Sequence, residues 1–215
     1  MDAGELLAER DHVLVALDGP VAEGLSAHPV ADRLRALVAE DRLPRGVART
    51  TDPFAVLAHA AAIGPATERA VHAQWRRVEH EVVAGARVAP GVREAFAALV
   101  ARGVRLTVVG ALDVEVVRAF LVLHGLDTHV RRLVGRVRSD RAAPDLVASA
   151  VHAGAVPARS CAFVGGTDAD LAAARAAGVD AFRHRPAAAP EPVTGADAWF
   201  GALSATRPTW PRTRG

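Results

Sequence analysis

The chain has 215 residues, 51% of them hydrophobic, and carries a formal net charge of +2. That is enough apolar material for one sizeable core with an insertion, or for two small domains. No apolar run is long enough to span a bilayer, and the acidic start MDAGELLAERD lacks the apolar stretch of a secretory signal. The single Cys161 cannot form an internal disulfide and lies in an apolar run, so an inert buried thiol and a cytoplasmic protein with no membrane role are expected. There is no Lys, Asn or Tyr, so all 26 basic residues are Arg and any chemistry that needs a lysine ammonium is closed. The arginines are scattered among 24 acidic residues. Nucleic acid wants a concentrated basic face, and none is expected as a partner.

In chain order, HVLVALDGPVAEG (His12 to Gly24) reads as a buried strand running into the Asp18-Gly19 turn. About seventy residues of helical patterning follow. V30-ADRLRALVAE-D41 has apolar residues at helical spacing, TTDPFAVLAHAAA opens with a capping Asp52 and Pro53 at the first helical position, and Gly64 to Ala86 reads as a longer amphipathic helix. After Pro90-Gly91 the pattern changes. A helix ends at Gly103, VRLTVVG (Val104 to Gly110) is a strand, and Asp113 caps the helix DVEVVRAFLVLHG. HVRRLVGRV is a strand, APDLVASAVHAG a helix, SCAFVGG (Ser160 to Gly166) a strand and DADLAAARAAG a helix. VDAFRH is a last strand, ADAWFGALSA a terminal helix, and the tail RPTWPRTRG, with Trp210, is expected to be flexible.

Strands alternating with helices imply an α/β fold, a doubly wound parallel sheet covered on both faces. The expected division is a core of residues 1–19 and 89–204, an inserted all-helical cap over 20–88, and a tail over 205–215. Such a cap would stand above the strand ends where open α/β sheets bind ligands.

Asp18-Gly19 after an apolar strand, the helical insertion, and the closing V-G-G-T-D-A-D resemble the haloacid dehalogenase superfamily, in its phosphoglycolate-phosphatase-like branch with a helical cap. The resemblance covers residues 10–204. It implies a Rossmann-like core, Mg²⁺, and hydrolysis of small phosphate esters through an aspartyl-phosphate.

The family's first motif is Asp-x-Asp-Gly, whose first Asp is the nucleophile and a metal ligand and whose second is general acid and base. Here these positions hold Ala16 and Asp18, with Pro20 where Thr is usual. A methyl group cannot form a phosphoenzyme. The Ser or Thr of the second motif is Gly110, followed by Ala111. The third-motif Lys is Arg141, with Pro144 and Asp145 in register, which keeps the charge but swaps a compact ammonium for a broad fork. In the fourth motif the metal-binding Asp is Gly166, while Thr167 and Asp170 remain, and Asp168 is expected to cap the following helix.

With both ligand carboxylates absent, no cofactor is expected. Asp18 is a vestigial acid–base residue, Gly19, Gly110, Ala111, Arg141, Gly166, Thr167 and Asp170 line a ligand site, and Arg141 is expected to pair with Asp18 or Asp170. The expected function is that of an inactive pseudophosphatase, a binding, regulatory or interaction module for a small anionic ligand or a protein partner. The alternative is a metal-independent hydrolase using Asp18 as general base and Arg141 as clamp. His72 and His80 are read as solvated, Trp75 as packing against the core, and Glu79-His80-Glu81 as a charged outer face.

Overall fold

The computed structural model describes residues 2–25, 30–38, 43–136, 146–185 and 194–206. Its main sheet contains β1 (His12–Ala16), β4 (Arg105–Asp113), β5 (Arg132–Arg136), β6 (Cys161–Gly165), β7 (Asp180–His184) and β8 (Leu203–Ala205). The order across the sheet is β5-β4-β1-β6-β7-β8, parallel throughout except for the β7–β8 pair. All five residues of β1 are buried. A strand without an exposed face belongs at the centre of a doubly covered sheet, and β1 lies there between β4 and β6. The α/β class and the Rossmann-like parallel sheet follow.

The pleat divides β1 between two cores. Val13, Val15 and Leu17 pack with Phe96, Leu99, Val117, Phe120 and Trp199, contributed by α6 (Val92–Ala101), α7 (Val114–Leu123) and α10 (Ala196–Gly201). Leu14 and Ala16 face the other way, onto Val147, Ala150, Leu171 and Ala174 of α8 (Leu146–Gly154) and α9 (Asp168–Ala176). The sequence reading left α1 (Ala3–Ala8) unassigned, yet its Leu7 is fully buried in the first of these cores.

Between β1 and α6 runs a two-stranded antiparallel ribbon of β2 (Ala22–Glu23) and β3 (Arg87–Val88), where the sequence carried little strand signal. The ribbon brackets α2 (Val30–Arg35), α3 (Arg45–Arg49), α4 (Pro53–Ile63) and α5 (Pro65–Gly85). Asp52 caps α4 by accepting the Phe54 N–H at 2.9 Å, as expected. Leu34, Val56, Leu57, Val71 and Trp75 form a separate small core in these helices. The buried positions of α5 fall at 71, 75, 78, 79, 82 and 83, a helical stripe, and Val83 at its far end belongs to the main core. One helix therefore contributes side chains both to the small core of the inserted block and to the main core.

Two boundaries differ from expectation. β4 continues past Gly110 to Asp113, with an irregularity against β5 between Val109 and Asp113. The terminal helix stops at Gly201, and the chain adds β8 to the sheet edge, where Thr206 N–H bonds the Ala181 carbonyl. Of the helix expected from Ala143, the part from Leu146 onward is present, and the start lies outside the described residues. Trp210 lies outside the described residues.

Candidate functional site

The C-terminal ends of β1, β4 and β6 converge. After β1 the chain makes a tight loop in which the Leu17 carbonyl accepts N–H groups from Val21 (3.3 Å) and Ala22 (2.8 Å), and Gly19 N–H bonds the Ala22 carbonyl at 2.9 Å. This requires φ = +89° at Gly19, a left-handed conformation that only glycine adopts freely. The fully buried Trp199 of α10 pins the loop from behind, its Nε1–H donating to the Pro20 carbonyl at 2.7 Å.

Ala16 is 6% exposed and its methyl packs in the core beneath α8 and α9. Asp18 stays open to solvent, but partial burial raises its carboxyl above the usual carboxylate range, and the negative charge of Asp170 raises it further. Gly166 closes the loop from the β6 side. A Cβ on it would stand 3.1 Å from the Asp18 carbonyl oxygen and 3.7 Å from the Gly19 Cα. Gly110 lies under Leu17, whose Cβ would be 3.1 Å from an added Cβ, and Ala111 beyond it is exposed.

Thr167 and Asp170 perform helix work. Thr167 Oγ1 accepts the Asp170 N–H at 3.1 Å, while Asp170 Oδ2 accepts the N–H groups of Gly166 (3.1 Å) and Thr167 (3.0 Å), a reciprocal capping box on α9. The cap is thus Thr167 and not Asp168, whose exposed carboxylate pairs instead with Arg183. The expected pairing of Arg141, and Pro144 and Asp145 with it, lies outside the described residues.

The larger correction is at the cap. Glu79 is 2% exposed, buried between α5 and the ends of β4 and β5, where an outer charged face was expected. Its Oε2 accepts Arg136 Nη2–H at 2.6 Å and the Asp113 backbone N–H at 3.2 Å. Only His80 and Glu81 of that run are exposed, and Glu81 pairs with Arg33. Trp75 does meet the core: the Arg136 guanidinium stacks over its ring at 4.1 Å, while Phe54 meets it edge-on at 4.9 Å. Arg76 stands 3.6 Å from Asp113, whose other carboxylate oxygen caps α7 by accepting the Glu115 N–H at 2.9 Å. Positions 72, 75, 76 and 79 share one face of α5, and that spacing was the available signal. What the spacing could not reveal was that two strand ends lie against it.

Gly135 permits the approach. A Cβ there would fall 2.8 Å from the Leu112 carbonyl oxygen and 3.4 Å from that of Gly110, so only glycine lets β4 bulge over β5 and carry Asp113 to Arg136. Cys161 is buried, and burial raises its thiol, leaving it inert. Among the described residues, no helix is long and apolar enough to cross a membrane.

A parallel sheet whose central strand ends in an Asp-Gly loop, with a largely helical block inserted after it, defines a Rossmann-like α/β core with a cap. The family model for haloacid dehalogenase-like hydrolases matches residues 55–183, more than half of the chain, and the chain belongs to that family. The match begins within α4, after the strand that carries Ala16 and Asp18. No curated protein matches the sequence. Among solved structures, a predicted phosphoglycolate phosphatase from Haemophilus somnus aligns at 19% identity over 80% of this chain and 84% of its own, with a TM-score of 0.55. CbbY from Rhodobacter sphaeroides, solved in complex with phosphate, aligns at 18% over 80% and 84%, with a TM-score of 0.56. A haloacid dehalogenase-like hydrolase from Streptococcus pneumoniae aligns at 12% over 80% and 83%, with a TM-score of 0.55. At such identities these likenesses speak for the fold alone.

Family membership overturns the expectation that no cofactor is needed, because hydrolases of this family work with Mg²⁺. The residues present fit that ion in reduced form. Partial burial and then the negative charge of Asp170 raise the Asp18 carboxyl, a repulsion that a divalent cation relieves, and the Asp18 carbonyl lies beside the side-chainless Gly166, although no cluster of three or more His, Cys, Asp or Glu that could hold a metal occurs among the described residues. Mg²⁺ keeps several waters and is commonly held by one or two carboxylates. Asp18 and Asp170 are the residues that would hold it, and there it would neutralise the oxygens of a bound phosphoryl group.

Proposed function

We propose that this chain is a non-catalytic member of the haloacid dehalogenase-like hydrolase family that binds a small anionic ligand between cap and core. The observation that carries this reading is Ala16. The family resemblance puts the nucleophile at this position, and here it holds a methyl group packed in the core. Without a carboxylate at that point no aspartyl-phosphate forms. The place supports it: Gly19, Gly110 and Gly166 stand at the C-terminal end of a parallel sheet, where open α/β sheets gather ligands, and the resemblance adds Arg141 as the cation. The ligand residues proposed are Asp18, Gly19, Gly110, Ala111, Arg141, Gly166, Thr167 and Asp170. A protein partner reached through the bound state and a cytoplasmic setting belong to the same proposal, and nucleic acid and membrane do not.

The test is a phosphomonoester panel with Mg²⁺, read both for turnover and for binding by calorimetry. The expected result is saturable binding of inorganic phosphate with no turnover, in wild type and in Ala16→Asp alike, because residues that act as a catalytic unit are not restored one at a time. The raised carboxyl of Asp18 supports a rival, direct hydrolysis with Asp18 as base. Mg²⁺-dependent turnover by wild type that Asp18→Asn abolishes would reject the proposal, and turnover without Mg²⁺ that the same change abolishes would establish the metal-independent rival.

A further inference from the structure

β5 is an edge of the main sheet: among the described residues, β4 is the one strand beside it. The Arg131 N–H donates across to the Leu106 carbonyl at 3.0 Å. Backbone groups alternate along a strand, so the N–H and C=O of Arg132 and Val134 face the open side. An edge of this kind is a template for pairing with another chain. Between α7 and the start of β5 lies a cavity of about 280 Å³. Leu121, Val130 and Leu133 form its apolar part, and Arg118, Arg131 and Arg132 its basic part, with Asp127 the one acid in the lining. Along α7 the apolar surface continues: Val122, one turn on from Arg118, is 56% exposed, and its neighbour Leu123 is 72% exposed.

The protein itself makes little use of these arginines. Arg118 and Glu115 stand 3.5 Å apart as exposed neighbours on α7, a pair that contributes little. Arg132 donates to the Ala153 carbonyl, a neutral group that leaves its charge uncompensated. Arg131 is exposed and has no ion pair among the described residues. The cavity is at the small end of the range for small-molecule sites, about 300–1,000 Å³, and takes one bulky side chain. Because the apolar residues and the open edge continue outside it, the surface suits a length of chain better than a compact anion. A second copy would set the same arginines against these, and the chain's own tail, with Arg207, Arg212 and Arg214, is basic too. Like charge disfavours both.

We infer that this edge docks an extended, acidic segment of a partner protein. The segment's backbone adds alongside β5, one bulky apolar side chain enters the cavity over Leu121, Val130 and Leu133, and flanking carboxylates meet Arg118, Arg131 and Arg132. Arg132 begins β5 opposite Thr107, ahead of Gly110 on β4, so the surface lies toward the strand ends away from the candidate ligand site. Docking there leaves that site open, and the inference stands independently of the anion-binding reading.

The probe is a short fluorescein-labelled peptide alternating Glu and Val around a central Phe, with two companions, one carrying Lys for Glu and one Ser for Phe. Anisotropy titrations of the full chain should give the acidic peptide a dissociation constant on the order of 10–100 μM, about tenfold or more tighter than either companion, weakening as salt is raised. The paired change Arg118→Glu with Arg131→Glu, at two exposed positions, should abolish the preference for the acidic peptide. Arg175→Glu, exposed on α9 across the sheet, should leave it unchanged. Hydrogen exchange at the Val134 amide should slow when the acidic peptide is bound. No binding of that peptide, equal binding of its basic companion, a preference that survives the paired change, or unaltered exchange at Val134 overturns the inference. Citrate that binds as tightly as the peptide, and is lost in the same paired variant, would mark the cavity as a small-anion site and overturn it as well.

Discussion

Two regions of this molecule stand a few residues apart along β4 and have opposite character. At the ends of β1 and β6, Ala16 and Gly166 occupy positions where the family resemblance places carboxylates, and what remains is backbone, Asp18 and a helix cap. At the cap–core seam, Glu79, Arg136, Trp75, Asp113 and Arg76 pack charge and aromatic surface into a buried contact. The first region is built of small side chains and backbone around a tight loop. The second holds side chains that the fold would be cheaper without, since a buried ion pair seldom repays its desolvation against an apolar replacement.

The contrast is sharpest in the response to losing one charge. Arg136→Met should destabilise the fold by about 3–5 kcal/mol at neutral pH, because it strands the Glu79 carboxylate in the interior. The Glu79 carboxyl is already raised by burial, against the opposing pull of Arg136. Removing Arg136 raises it further, so a protonated Glu79 becomes the form the fold prefers. A carboxyl whose folded pKa lies above its ordinary value of 4.5 favours folding below that value and loses the benefit as pH rises through the folded pKa. Urea melts of the variant should therefore approach wild type as pH falls from 8 toward 4.5. A pH-independent gap would break the account of the seam.

A smaller effect separates the glycines of the two regions. Gly135→Ala forces a Cβ to 2.8 Å from the Leu112 carbonyl oxygen, a backbone contact with nowhere to move, and should cost about 1–3 kcal/mol. Gly166→Ala meets the Asp18 carbonyl at 3.1 Å in a loop at the sheet's edge, and about 0.5–1 kcal/mol is expected. Thermal melts that rank the two the other way would mean that the loop at Gly166, rather than the seam, is the tightly built region.

The smallest effect is at Asp18. Its carboxyl is raised by partial burial and by Asp170, so its ionised form opposes folding at neutral pH, and Asp18→Asn should raise Tm by about 1 °C once solvent screening is allowed for. Because Mg²⁺ would relieve the same repulsion, adding it should narrow the difference between the two proteins. A gap that Mg²⁺ leaves unchanged would speak against Asp18 and Asp170 as its holders.

The parallel sheet, the helical insertion and the capping roles of Asp52 and Asp113 could be read from the sequence, because each is a local rule: an all-apolar strand, a helical period, an acidic residue ahead of a first turn. Ala16, Gly110 and Gly166 stand where the family resemblance places motif side chains, a reading that rests on the spacing of the sequence. Asp168 was misassigned by a single position, because two neighbouring residues could cap α9 and only Thr167 has the extended backbone, at φ −114° and ψ 161°, that aims its oxygen at the Asp170 N–H. What the tertiary structure alone decided was the seam. Glu79 and Arg136 are 57 residues apart, and in the sequence Glu79 is one acid in a charged run. Its burial depends on where a bulged β4 and a side-chainless Gly135 put the ends of two strands, and long-range placement of that kind leaves no periodic trace in the chain.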